Sequence, residues 1–279
     1  MESPDHATLD RLLRGIDIPP CPAVLISLQH EIASPNGSLG RIAQIVGTDV
    51  ALAASVLKVA NSPALGLSRH VGSISQAVSV LGMRALSALT AGVMLRATLS
   101  GGSSLYLERF WDSAARVASL CANLSREFKG VPTEMAYSFG LFHDCGIAVL
   151  MKRFPSYTET LEVANAAYDQ SFTSVEEEHH ATNHSAVGYF LTRTWGLPEA
   201  ISKATLLHHD LSIFDDDADH TAAQARTLVS FATLAEHIAH SQRYLTDDTN
   251  WSRGKSVVMA HLGISEQDVC DLKESYCDF

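Results

Sequence analysis

Apolar residues recur at three- and four-residue spacings along almost the whole chain, and the alternating pattern of a half-buried strand is nearly absent. Few folds satisfy that constraint, and all of them are made of helices packed on helices. Helix punctuation supports the reading. Ser38 precedes a stripe of Leu39, Ile42, Ala43 and Val46 that stops at Gly47. Asp49 precedes Leu52, Ala53, Val56, Leu57 and Ala60, and Asn61-Ser62-Pro63 stops that run. Ser73 opens a third stretch through Ala77, Val78 and Leu81, and Gly82 separates it from a long apolar helix reaching Leu99.

After Gly101-Gly102-Ser103-Ser104, the clearest linker signal, long helical patterns resume over about 105–128, 132–151 and 155–168. Thr182 is placed to cap a helix carrying Val187, Phe190 and Leu191, and Pro198 to start one carrying Ile201, Ala204 and Leu207. A further helix is predicted over about 221–240, and one or two short ones after Trp251. The expected architecture is all-α. A helical bundle over 1–101 packs on a second bundle over 102–279, which ends in a helical tail.

Bulk properties narrow the function classes. Across 279 residues, 46% hydrophobic and 18% charged, there is enough apolar material for a sizeable core. A net charge of −11 disfavours nucleic acid as a partner, because affinity for phosphates depends on Lys and Arg. The cysteines (Cys21, Cys121, Cys145, Cys270 and Cys277) are odd in number and form no CxxC pair, so neither a disulfide framework nor a structural zinc site is expected. The first residues are acidic and polar, unlike a signal peptide. Arg84 and Arg96 interrupt the most apolar stretch, so no membrane span is expected and a cytoplasmic location is. Asp215-Asp216-Asp217 reads as a solvated loop.

The 13 histidines are where the chemistry concentrates. His143 and Asp144 lie in GLFHDCGIAVL, inside an apolar helical pattern. His184 shares a helical stripe with Val187, Gly188 and Leu191 and should point inward. His208 and His209 end the helix ISKATLLHHD. Imidazoles and a carboxylate on neighbouring helices are what a divalent cation needs. Singly, each reads more readily as a hydrogen-bonded core histidine, or as a last-turn histidine complementing the helix dipole; the ordered set is more specific. His179 and His180 are weaker ligand candidates, and the other histidines read as surface or packing residues. There is no G-x-S-x-G elbow, phosphate-cradling loop or dinucleotide fingerprint, and Cys145 reads as a small buried residue.

Several stretches together resemble the HDOD family, the HD-related output domain of bacterial signalling proteins. They are IPPCPAVLISLQHEI, GTDVALAASVLKVANSPALGLSRHVGSISQAVSVLG, FWDSAARVA, GLFHDCGIAVL, NHSAVGYFLTRTWGLP with the Glu-rich turn before it, and LLHHD, spread over about residues 12–240. That family is similar to the HD superfamily of metal-dependent phosphohydrolases and to the HD-GYP phosphodiesterases that cleave cyclic di-GMP. The resemblance sets His143 and Asp144 on the defining HD pair, His184 on the histidine of the HP-x-x-G segment, and His208 and His209 on the paired histidines, with Asp210 where those enzymes have Glu.

Two positions depart from that pattern: Ser113 stands where the first ligand histidine would be, and Thr233 where the last ligand aspartate would be. The GYP loop after Asp210 is missing. The resemblance therefore implies a degenerate site, with His143, Asp144, His184, His208 and His209 as the residual ligands for one divalent metal ion. It implies a noncatalytic regulatory module of bacterial signal transduction, with signalling proteins or a cyclic dinucleotide as partners. The alternative is a metal-dependent phosphohydrolase or phosphodiesterase working with the reduced set, in which Asp144 or His209 orients water.

Overall fold

Local capping starts the helices. In a computed structural model that describes residues 11–100, 105–215, 220–242 and 248–276, α1 (Ala23–Ala33) follows the proline segment. Ser38 Oγ accepts the Arg41 N–H at 3.2 Å and opens α2 (Leu39–Gly47). Asp49 Oδ1 accepts the N–H groups of Ala51 and Leu52 at 2.9 and 3.0 Å and opens α3 (Val50–Ala60). These bonds satisfy amides that have no partner within the helix. Asn61 ends α3 and bonds across to Val71, accepting its N–H at 2.8 Å and donating to its carbonyl at 2.9 Å.

Ser73 caps α4 (Ile74–Leu99). By length and composition this helix could cross a membrane even with Arg84 and Arg96 in it, where no span was expected. Its backbone nevertheless breaks at Gly82, where φ is 85° and ψ 169°, a conformation that favours glycine. Ala77, Val78, Leu86, Leu89 and Leu95 on either side of the break are buried against neighbouring helices.

The second half follows as α5 (Leu105–Glu127), α6 (Thr133–Phe142), α7 (Cys145–Arg153), α8 (Tyr157–Ala166), α9 (Phe172–His180), α10 (His184–Thr194), α11 (Glu199–Leu207), α12 (His220–Ser241), α13 (Thr249–Leu262) and α14 (Glu266–Ser275). There is no strand among the described residues. The Gly101–Ser104 linker signal and Asp216-Asp217 lie outside the described residues.

Three further sequence expectations are corrected. The helix predicted over 132–151 is two helices, because the backbone leaves the helical region at Asp144 (φ −100°, ψ 12°) while the apolar pattern continues through the turn. Asn183, not Thr182, caps α10, accepting the Ala186 N–H at 2.8 Å. The acidic stretch after Ser171 is helical and buries Glu176 completely, where a charge-rich turn was expected.

Two cores organise the chain, and α5 serves both. Its Trp111, Ala114, Ala118 and Ala122 join a core formed with Leu28, Val56, Leu89, Phe142, Leu191 and Trp195. Its Val117, Leu120, Cys121 and Leu124 join a second core with Phe139, Ile201, Leu228, Phe231 and Ile238. Burying one large apolar side chain stabilises by about 1.5–3 kcal/mol, so a helix apolar on both faces is held from both sides. The proline segment is fastened to the second half, since Trp195 Nε1 donates to the Pro19 carbonyl at 3.0 Å.

Candidate metal centre

The break between α6 and α7 turns His143 and Asp144 into the interior. α7 lies very close to α10: a Cβ on Gly146 would sit 2.0 Å from the His184 carbonyl oxygen, so only glycine fits. That approach sets Asp144 beside His184, the first residue of α10, and His208, which closes α11. Asp144, His184, His208 and His209 each offer one ligand atom within 4.8 Å of the others, and so do His143, Asp144 and Glu236. The structure thus brings together all five candidate residues from the sequence and adds Glu236 on α12.

Each of the three most buried imidazoles has one nitrogen committed. His143 Nδ1–H donates to the Gly140 carbonyl at 2.9 Å. His208 Nδ1–H donates to the Thr205 carbonyl at 2.8 Å. His184 Nδ1–H donates to Glu176 Oε2 at 2.6 Å, and Glu176 Oε1 in turn accepts from the buried Tyr157 hydroxyl. All three Nε2 atoms then face Asp144, His184 and His208 from its Oδ1 side and His143 from its Oδ2 side. His184 Nε2 and His208 Nε2 are 3.1 Å apart, and both face Asp144 Oδ1, at 3.4 and 3.2 Å. His143 Nε2 lies 3.3 Å from Asp144 Oδ2 and 3.0 Å from Glu236 Oε1. Two imidazole lone pairs that close repel unless a proton or a cation lies between them.

The titration of these groups follows from that crowding. Burial pushes His143 toward the neutral form, but Asp144 and Glu236 more than offset it and hold the imidazole well above its ordinary value. Burial likewise opposes charge on His184, and Glu176 and Asp144 overcome it, raising the value to about 10. Burial, followed by the neighbouring His208 and His184, lowers His209 strongly; His208 is lowered by burial and by His184 against the pull of Asp144. The Asp144 carboxyl, against its burial, is held far below the carboxylate range by His143. In this state two protons occupy the centre.

His209 is half-buried, with its ring parallel to Phe172 (2° between planes, centroids 5.3 Å apart). The Phe172 ring also meets His184 edge-on at 5.3 Å, so it covers the pair. His180 stands apart from the centre, bonded to Thr160 Oγ1 at 2.8 Å and stacked on Phe154, and His179 bonds to the Val175 carbonyl.

Thr233 spends its hydroxyl on the Val229 carbonyl at 2.9 Å within α12. One turn later, Glu236 brings a carboxylate to His143 and Asp144. Ser113, half-buried on α5, still offers no imidazole. Four residues that line or support the candidate site were not singled out from the sequence: Glu176, Glu236, Tyr157 and Phe172. Only the Glu-rich run before His184 signalled the first of them, without saying which glutamate turns inward.

A sequence model of the HDOD domain matches residues 18–211. A curated relative from Treponema pallidum (strain Nichols), itself uncharacterized, is 27% identical over 260 residues, covering 91% of this chain and 48% of the relative. The chain thus spans about half the length of that relative. An HDOD domain protein of unknown function from Geobacter sulfurreducens shares the fold at 20% identity, with a TM-score of 0.66 and 96% of each chain covered. A protein from Shewanella amazonensis SB2B, assigned to the phosphohydrolases by name only, does so at 21% identity, with a TM-score of 0.69 and coverage of 97% of this chain and 93% of that one. At these identities the likeness is one of fold.

Proposed function

The chain belongs to the HDOD family, and from that premise we propose that it is a noncatalytic, cytoplasmic regulatory module of bacterial signal transduction that holds one divalent cation. The observation that carries the cation is that three Nε2 atoms, whose Nδ1–H groups are all tied down, meet the two oxygens of Asp144. Partners on the far side of the ring are what fix a ligating histidine's tautomer and orientation. The ligands are Asp144, His184 and His208, with His209 beside them and His143 and Glu236 on the other side of Asp144. When bound, the ion would replace the two protons as the positive charge that holds three imidazoles and two carboxylates together.

Two features favour contact over turnover. A hydrolase needs a position for activated water and room for substrate, yet His184 and His208 are only 0% and 6% exposed and Phe172 lies against His184 and His209. Ser113 also leaves out one imidazole. Under this reading the ion locks α7, α10, α11 and α12 together, and the module works through signalling proteins or a cyclic dinucleotide.

Glu236 favours a second reading, a metal-dependent phosphohydrolase with a reduced ligand set, because it returns a carboxylate to the site. Asp144 or His209 would then orient the attacking water. Metal analysis of protein purified without chelator, combined with hydrolysis assays on cyclic dinucleotides and generic phosphodiesters, separates the two. About one ion per chain and no turnover is the expected result; turnover abolished by His143→Ala would overturn it. Calorimetric titration with cyclic di-GMP decides whether that messenger is a ligand.

A further inference from the structure

The two carboxylates of the centre, Glu236 and Asp144, are both partly exposed, at 27% and 24%. The side chains of His143 and His184 are 3% and 0% exposed, so burial alone does not hold Glu236 in place as it does them. A long carboxylate side chain with that freedom loses rotamer entropy whenever it faces the centre. Two bonds hold it: Asn250 Nδ2 donates to Glu236 Oε2 at 3.0 Å, and Oε1 meets His143 Nε2 at 3.0 Å.

The helix carrying Asn250 is itself pinned to this place. Asp248 caps α13 by accepting the Trp251 N–H at 3.0 Å, and its other oxygen accepts from His237 Nδ1 at 3.0 Å, next in the chain to Glu236. The His237 ring stacks on Trp251, with centroids 4.4 Å apart and planes 8° apart. On its outer side the same helix start holds the segment that leads to Phe172: Arg253 Nη2 donates to the Tyr168 carbonyl at 2.8 Å, and Thr249 Oγ1 to the Asn165 carbonyl at 3.4 Å. One helix end therefore touches both the partly exposed carboxylate and the chain leading to the aromatic cover. All of α13 lies beyond the residues that match the family, 18–211.

We propose that Asn250 is a positioning residue for Glu236, and that the docking of α13 through it sets how tightly the site holds its cation. The inference rests on the reading that this cluster binds a divalent metal. It makes the C-terminal helices part of the site: whatever moves α13 loosens the ion. Partners that orient a ligand are commonly worth ten- to a hundredfold in metal affinity.

The test is titration of the full chain with Co²⁺, whose visible d–d absorption reports ligand number and geometry. Asn250→Ala removes the amide. Asn250→Ser keeps a residue well suited to a helix start but too short to reach Glu236, and so guards against loss of the fold. Both variants should bind Co²⁺ about tenfold more weakly, with a changed d–d spectrum, while the metal-free Asn250→Ser chain melts as wild type does. Ser252→Ala, at an exposed position on the same helix, should leave spectrum and affinity alone. A merely structural Asn250 would shift melting and leave the spectrum untouched, and that result overturns the proposal, as do variants that match wild type in both. A wild-type chain that takes up no Co²⁺ removes the metal reading itself, and this inference with it.

Discussion

The two sides of Asp144 are built in different ways. On the Oδ1 side, His184 and His208 are buried and every second nitrogen is tied to a carbonyl or to the buried Glu176. On the Oδ2 side, His143 is equally buried, but its partner Glu236 is partly exposed and held by a single amide from another helix. The histidine side lies wholly within residues 18–211, where the family match runs; the carboxylate side draws on α12 and α13 outside it. The difference separates a rigid half, whose geometry is set by packing, from an adjustable half, whose geometry depends on how the C-terminal helices dock.

The largest effect should come from breaking the rigid half at its closest approach. Gly146→Ala would drive a methyl group into the His184 carbonyl and to 2.9 Å from Gly188 N. Overpacking of this kind costs about 3 kcal/mol or more when backbone stands in the way. Urea melts check it, and a variant within about 0.5 kcal/mol of wild type would mean that α7 and α10 part easily.

Next in size is Glu176→Gln, which keeps an acceptor for His184 Nδ1–H but removes its charge. Divalent metal affinity should fall about 10- to 100-fold with the ligands intact, measured by competition with a chromophoric chelator. Because Glu176 serves the buried half, its loss should outweigh that of Asn250; equal losses would erase the distinction between the two sides.

The pH dependence sharpens the same contrast. His143 lies well above its ordinary value and His184 at about 10, so both carry protons at neutral pH that an arriving cation must displace. His208 and His209 are lowered and contribute none. Apparent affinity should therefore rise as pH rises from about 6 to 8, by up to about tenfold per unit for each proton displaced. Binding isotherms in buffers of different ionisation enthalpy count the protons, and a flat profile would contradict the raised values.

The smallest effect belongs to the cover. Phe172→Ala removes a ring stacked on His209 and should cost about 1 kcal/mol of stability, while speeding loss of bound metal to a chelator. Unchanged release would show that access does not pass beneath Phe172.

Much of the fold was legible because caps and stripes are local. Ser38, Asp49 and Ser73 each bond within their own first helical turn, so their roles can be read from a few neighbouring residues. The break at His143–Asp144 was not legible, because the apolar pattern runs through it and the turn is imposed by the packing of α7 on α10. His143, Asp144, His184, His208 and His209 stood out as candidates because imidazoles at apolar helix positions are conspicuous. Glu236 and Asn250 did not, since such residues are usually solvated, and Thr233 drew attention in place of Glu236 one turn on.

What the chain determined by itself is therefore what depends on neighbours a few residues away: helices, their starts, and the inward face carrying each histidine. What only the folded molecule decided are bonds that span long separations, such as Glu236 to His143 across 93 residues and Asn250 to Glu236 across 14. No local pattern specifies those bonds. They form only once packing has removed water from around groups that would otherwise be hydrated, and which carboxylates lose their water is settled by how the helices meet.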